Sequence, residues 1–172
     1  MVSIPITPQG PMTIDKAWLM GMIAGDGCVS QRSVLICAGQ DRSLAIECRR
    51  VTASIYGRAG RVYSQPQQGP HPGVTWMFCV NSTEICRDLR RLACFGSSSW
   101  TIPKDVLSSN MRIVGAWISG LADDDGHDRI EIRKHRRCLT IASVNQASLA
   151  QVRDLLARLG VRCAIYTSRG RE

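Results

Sequence analysis

No apolar run in this chain reaches the ~20 residues needed to cross a bilayer, and no charged segment leading into an apolar stretch opens it at Met1. Membrane insertion and secretion are therefore set aside. A cytoplasmic protein is expected, or an organellar one if its gene is organellar. Cysteines at metal-binding spacing are missing as well. The eight cysteines, Cys28, Cys37, Cys48, Cys79, Cys86, Cys94, Cys138 and Cys163, include no Cys-x-x-Cys pair. His71, His127 and His135 offer no close pairing either, so structural zinc is not expected. A disulfide framework would be far smaller and more loop-rich, so the thiols read as reduced and mostly buried. Acids are in deficit, with 14 Asp and Glu against 22 Lys and Arg, for a formal net charge of +8 in 172 residues. The basic excess is mostly arginine, whose fork matches phosphates and guanine edges. With membranes set aside, nucleic acid is the polyanion this balance suits.

One stretch occurs twice. The first copy reads Ala17-Trp18-Leu19-Met20-Gly21-Met22-Ile23-Ala24-Gly25-Asp26-Gly27, and the second Ala116-Trp117-Ile118-Ser119-Gly120-Leu121-Ala122-Asp123-Asp124-Asp125-Gly126. Each predicts a helix that stops at Asp-Gly. Glycine is costly inside a helix, so Gly21 and Gly120 need a reason, and close approach of two helix backbones supplies one. If the copies pack about a pseudo-two-fold axis, Asp26 and Asp125 end side by side. Two carboxylates at helix C-termini repel each other and the local dipole, an arrangement that suits a cation. Two repeats of roughly 80 residues would each be marginal alone, so a core shared across these helices is expected.

Taken in order, residues 1–12 are a proline-bearing leader, and Thr13 or Asp15 caps the first helix. Residues 28–30 and 33–38 read as a hairpin, and Asp41 as the cap of a helix closed by Gly57. Residues 61–65 and 74–80 alternate as strands around a polar loop, and 83–94 is an amphipathic helix with Arg87, Arg90 and Arg91 outward. The first repeat, 13–96, is thus αββαββα, and 97–103 is a linker. In the second repeat, 104–172, residues 128–134 and 138–143 are strands with Arg136-Arg137 as their turn. Asn145 caps a helix closed by Gly160, and 161–167 is a fifth element. This repeat lacks a clear last strand and helix, so it is either naturally reduced or cut short.

The paired stretches resemble the LAGLIDADG motif of the homing endonuclease family. Residues 19–27 match at most positions, and 118–126 more loosely. The resemblance implies an α+β fold of two pseudo-symmetric repeats forming a saddle, the second shortened at its C-terminus. It also implies a monomer that cleaves double-stranded DNA at a long site. The acid before the final glycine, Asp26 or Asp125, would bind Mg²⁺, with Mn²⁺ or Ca²⁺ able to substitute in binding, helped by the carbonyls of Gly25 and Asp124. Hard oxygen ligands fit such ions. The acid two places earlier is present as Asp123 but is Ala24 in the first copy, and Asp124 replaces a small residue. Gln40 and Asn145 match the places of a polar residue that orders metal-bound water, and Asn145 is equally explained as a helix cap. An assisting basic residue stays open among Lys134, Arg136 and Lys104.

With the sheets along the major groove, one strand face packs on helices and the other meets bases. The DNA-contact candidates are Ser30, Arg32, Ser33, Arg61, Tyr63, Gln65, Arg129, Glu131 and Arg133. Lys134, Arg136, Arg137, Arg162, Arg169 and the Gln67-Gln68 loop would add phosphate or flank contacts. The alternative is a catalytically idle relative, an intron splicing cofactor or a DNA-binding regulator; retention of both acids favours the nuclease. Met1 is not a splicing nucleophile and Arg171-Glu172 is not a His-Asn ending, so a free-standing chain is expected rather than an insert in a self-splicing protein.

Overall fold

Thr13 starts helix α1 (Ile14–Asp26) by accepting the Lys16 N–H on its side chain. The helix runs without a loop into β1 (Gly27–Val29), which turns back through Ser30 into β2 (Ser33–Cys37). Asp41 caps α2 (Arg42–Tyr56), and Gly57 ends it in the left-handed conformation at φ 66°. The antiparallel strands β3 (Arg61–Pro66) and β4 (Val74–Asn81) follow, then α3 (Thr83–Leu92). After the connection come a short helix α4 (Lys104–Leu107) and α5 (Met111–Asp125), whose start Asn110 caps by accepting the Arg112 and Ile113 N–H groups on its side chain. Strands β5 (Gly126–Glu131) and β6 (Arg136–Ile141) precede α6 (Gln146–Arg158), capped by Asn145. The computed structural model describes residues 11–67, 73–131 and 136–167.

The first repeat therefore has the expected αββαββα order, with a four-stranded antiparallel sheet ordered β1-β2-β4-β3. The described part of the second repeat holds the two-stranded sheet β5-β6. Two expectations need correction there. Arg136 and Arg137 are strand residues, paired with Glu131 and Ile130, and not a turn. Residues 161–167 form neither strand nor helix and are exposed along their length.

The core lies between α1, α5 and the inner face of the larger sheet. Val34, Ile36, Phe78 and Val80 line that face, with Val34 opposite Val80 and Ile36 opposite Phe78. The expectation of mostly buried thiols is also corrected. Cys48, Cys79 and Cys86 are buried and Cys37 is half-buried, but Cys28, Cys94 and Cys163 are exposed, and all are free.

Helices α1 and α5 meet along one seam and run in the same direction. A Cβ on Gly21 would overlap the Trp117 carbonyl oxygen and lie 2.8 Å from the Leu121 nitrogen. A Cβ on Gly120 would overlap the Trp18 carbonyl oxygen and lie 3.0 Å from the Met22 nitrogen. These contacts are reciprocal, position for position, as a pseudo-two-fold axis requires. Beneath the seam a nearly buried ion pair ties the first repeat together. Lys16 Nζ donates to Asp88 Oδ2 at 2.5 Å, and Tyr56 Oη donates to the same oxygen at 2.9 Å. Burial, then the Asp88 charge, pushes the Tyr56 phenol up. No helix among the described residues is long and apolar enough to cross a membrane.

Candidate active site

Asp26 and Asp125 are the last residues of α1 and α5, and each is followed at once by a glycine that opens a strand. Both glycines have negative φ, −104° at Gly27 and −78° at Gly126, so handedness does not demand them. Space does. A Cβ on Gly27 would sit 2.8 Å from the Ile23 carbonyl oxygen, and one on Gly126 would overlap the equivalent Ala122 oxygen. Each glycine N–H donates to that same carbonyl, so the helix passes straight into the strand. The Asp-Gly pair thus sets the acid at the junction of seam helix and sheet.

Asp26 is exposed, and among the described residues its carboxylate has no hydrogen bond or ion pair. Neither α1 nor α5 carries a basic residue in its last turn. The neighbour reaching across the seam brings more negative charge: Asp124 Oδ2 accepts the Asp26 N–H. Asp124 fits because Gly25 faces it, where a Cβ would lie 2.6 Å from that oxygen. The helix contact therefore stays close despite the larger residue. Burial raises the Cys37 thiol above its ordinary value, and the Asp26 and Asp124 charges add to the rise. Burial also pushes Cys48 up to about 12, with Asp124 the leading charge.

A hard cation fits this donor set. Asp26 is exposed without a cationic partner among the described residues, and α1 and α5 each end in an acid at the negative end of the helix dipole, with no basic residue in the last turn of either. No cluster of three or more His, Cys, Asp or Glu side chains that could hold a metal occurs among the described residues. Any bound ion would keep several positions for water and phosphate.

The outer face of the larger sheet carries many of the candidates. Arg61, Tyr63 and Gln65 alternate with Val62, which packs against the core, and Arg61 lies over the Tyr63 ring at 5.2 Å. Ser33 shares this face, whereas Ser30 is spent on the turn, accepting the N–H groups of Arg32 and Ser33. Arg32 projects from the turn, exposed. The pairings Leu35–Cys79, Cys28–Leu35, Cys37–Met77 and Gln65–Thr75 put Cys28, Cys37, Thr75, Met77 and Cys79 on the same face. Sequence reasoning missed these, because alternation shows which residues share a face but not which face is covered.

Gln40 is exposed just past β2, close to Gly73, and Gln67 is exposed at the end of β3. Asn145 has both ends of its amide engaged, accepting from Ser148 N and donating to the Trp100 carbonyl at 2.8 Å. In the smaller sheet Arg129 pairs with Cys138 and Glu131 with Arg136. Arg162 is exposed after α6. Gln68, Arg133, Lys134 and Arg169 lie outside the described residues.

The fold is that of a homing-endonuclease saddle. The solved structure of the homing endonuclease I-WcaI bound to its DNA recognition sequence superposes with a TM-score of 0.64 at 14% identity, covering 95% of this chain and 76% of that one. No protein-family model matches the chain. Among curated proteins it is 24% identical over 169 residues, 92% of its length, to the ribonucleoside-diphosphate reductase NrdEB subunit alpha of Bacillus subtilis (strain 168), and matches that of Bacillus phage SPbeta equally. It is 30% identical over 146 residues, 84% of its length, to a subunit of the A-type ATP synthase of Methanopyrus kandleri. The chain spans only 15% and 13% of the length of these relatives.

Proposed function

We propose that this chain is a site-specific endonuclease that hydrolyses both strands of double-stranded DNA. The observation that carries the reading is the seam itself. Two acids end two helices packed backbone to backbone through Gly21 and Gly120, beside a sheet face bearing Arg61, Tyr63 and Gln65. A carboxylate at a helix C-terminus opposes the helix dipole and destabilises the helix that carries it. A metal-ion site would give both acids a use that packing in the core does not.

Asp26 and Asp125 would hold Mg²⁺, with the Gly25 and Asp124 carbonyls as further oxygens; Mn²⁺ or Ca²⁺ would substitute in binding. When bound, the ion would relieve charge on the phosphate and lower the pKa of water enough to supply hydroxide as the nucleophile. The chain's own residues do the positioning. The Asp-Gly junctions set the acids where seam helix meets sheet, and Gln40, exposed just past β2, would orient water. Asn145, the residue the resemblance offers for this role in the second repeat, caps α6 as Asp41 caps α2, one place past the counterpart of Gln40, and its amide is already engaged at both ends. Arg32, Ser33, Arg61, Tyr63 and Gln65 would read bases in the major groove, with Arg129, Glu131 and Arg133 doing so in the second repeat. One duplex along a pseudo-symmetric monomer places one acid at each strand.

A ribonucleotide reductase and an ATP synthase have nothing in common by name, yet a protein from each contains a short part similar to this chain. That supports a second aspect of the reading, a module that moves between unrelated hosts. An idle relative serving splicing or regulation would need no acid at the end of either seam helix. Cleavage selection from a random duplex library in Mg²⁺ tests the proposal. One enriched, cleaved sequence is the expected result, and binding without cleavage would favour the idle relative.

A further inference from the structure

We propose that the groove between α3 and the β1–β2 turn is a second phosphate-binding surface, which holds the backbone of duplex DNA beyond the stretch the sheet reads. The inference rests on the DNA reading above and extends it to a surface outside the sheet.

The groove measures about 450 Å³ and is lined by Gln31, Thr83, Arg87, Arg90 and Arg91. All five side chains are exposed. The acids of α3 do not neutralise the arginines. Glu84 turns to its own helix start, accepting from Ser82 Oγ at 2.8 Å, and this holds its carboxyl below the usual range. Asp88 is buried against Lys16 and Tyr56, and of the three groove arginines only Arg91 reaches it among the described residues, from the side at 3.3 Å. Arg87 and Arg90 have no acidic partner among the described residues, so their forks stay available for phosphate oxygens.

The groove adjoins the sheet's outer tip. The Ser82 N–H donates to the Arg32 carbonyl at 2.9 Å, so the start of α3 is bonded to the turn that carries Gln31 and Arg32. Strand β1 leaves Asp26 at one end and reaches this turn at the other. A duplex lying outward from the seam along β1 meets the groove last, beyond the sheet. Arginines set around the tip from the strands reach backbone and not base edges. They add affinity and steering without sequence information.

The test is a salt titration of binding to a random-sequence duplex of roughly 40 base pairs. It compares the wild type with Arg87→Gln/Arg90→Gln and with a charge-matched control, Arg50→Gln/Arg153→Gln, whose arginines are already paired to Glu47 and Asp154. The plot of log affinity against log salt should become shallower by about 2 for the α3 variant, at about 0.9 per lost phosphate contact, and stay unchanged for the control. Arg90→Lys should keep the wild-type slope. An α3 variant with the wild-type slope overturns the proposal while leaving the nuclease reading standing. So does a variant that keeps the duplex slope but loses binding to a single-stranded RNA of the same length. A wild type that binds no duplex overturns both.

Discussion

Trp18 on α1 donates its indole N–H to Asp123 Oδ2 on α5, at 2.8 Å across the seam. At the matching positions of the other copy the pair is Trp117 and Ala24, and the buried Trp117 indole nitrogen has no hydrogen-bond partner among the described residues. The repeat is symmetric in its glycines and broken in this bond. Asp123 therefore has a structural use that Ala24 does not share. Asp123→Ala should lower stability by about 0.5–1.5 kcal/mol, the usual worth of such a bond, and leave cleavage intact. Urea unfolding and a nuclease assay on the same preparation check both halves.

The glycines on the seam should divide sharply by position. Gly21→Val and Gly120→Val push a side chain into a partner backbone that cannot yield, so a loss of about 1–3 kcal/mol or more is expected, together with activity. Gly115 lies within α5 with nothing near its missing Cβ. Gly115→Ala should therefore raise stability by about 0.5–1 kcal/mol, the ordinary helical preference for alanine. Thermal melts of the three variants provide the comparison.

Lys16 and Asp88 are each at most 5% exposed at their side chains, so breaking the pair strands a charge. Lys16→Met should cost about 3–5 kcal/mol, and Lys16→Met/Asp88→Leu should recover much of that loss. A double-mutant cycle in denaturant measures the difference. Tyr56, bonded to the same carboxylate, makes full recovery unexpected.

Asp41 caps α2, and its bonds from Ser43 and Leu44 hold its carboxyl below the usual value. Lowered in the folded state, this group contributes stability that is present above its unfolded pKa and lost as pH falls through the folded one. Asp41→Ala should thus cost about 1 kcal/mol at neutral pH. The gap from wild type should close in acid, below the unfolded value of about 3.9. Unfolding curves at neutral and acid pH check the sign.

Local chemistry is the legible part of this fold. Thr13, Asp41 and Asn145 cap the helices expected of them, Gly57 closes α2, and the paired glycines mark the seam. Each depends on neighbours a few residues away. The Lys16–Asp88 pair joins residues far apart in the chain, and the Trp18–Asp123 bond needs the packed seam, so no local pattern announces either. The second hairpin differs from expectation at Arg136 and Arg137 because strand register is settled by cross-strand pairing, and charge alternation alone leaves it free to slip. Cys28 defies an interior reading because a small apolar thiol suits either face of a sheet.

The central claim is that Asp26 and Asp125 hold the cation for hydrolysis. The measurement is cleavage of the selected site in Mg²⁺, with the two DNA strands end-labelled separately, by Asp26→Asn and by Asp125→Asn. Asparagine keeps the shape but removes the charge that holds a hard cation. Each variant should bind DNA at least as well as the wild type, since one repulsive carboxylate near phosphate is gone. Each should also fail to make the double-strand break, either nicking one strand or cutting neither. Normal cutting of both strands by both variants would contradict the account.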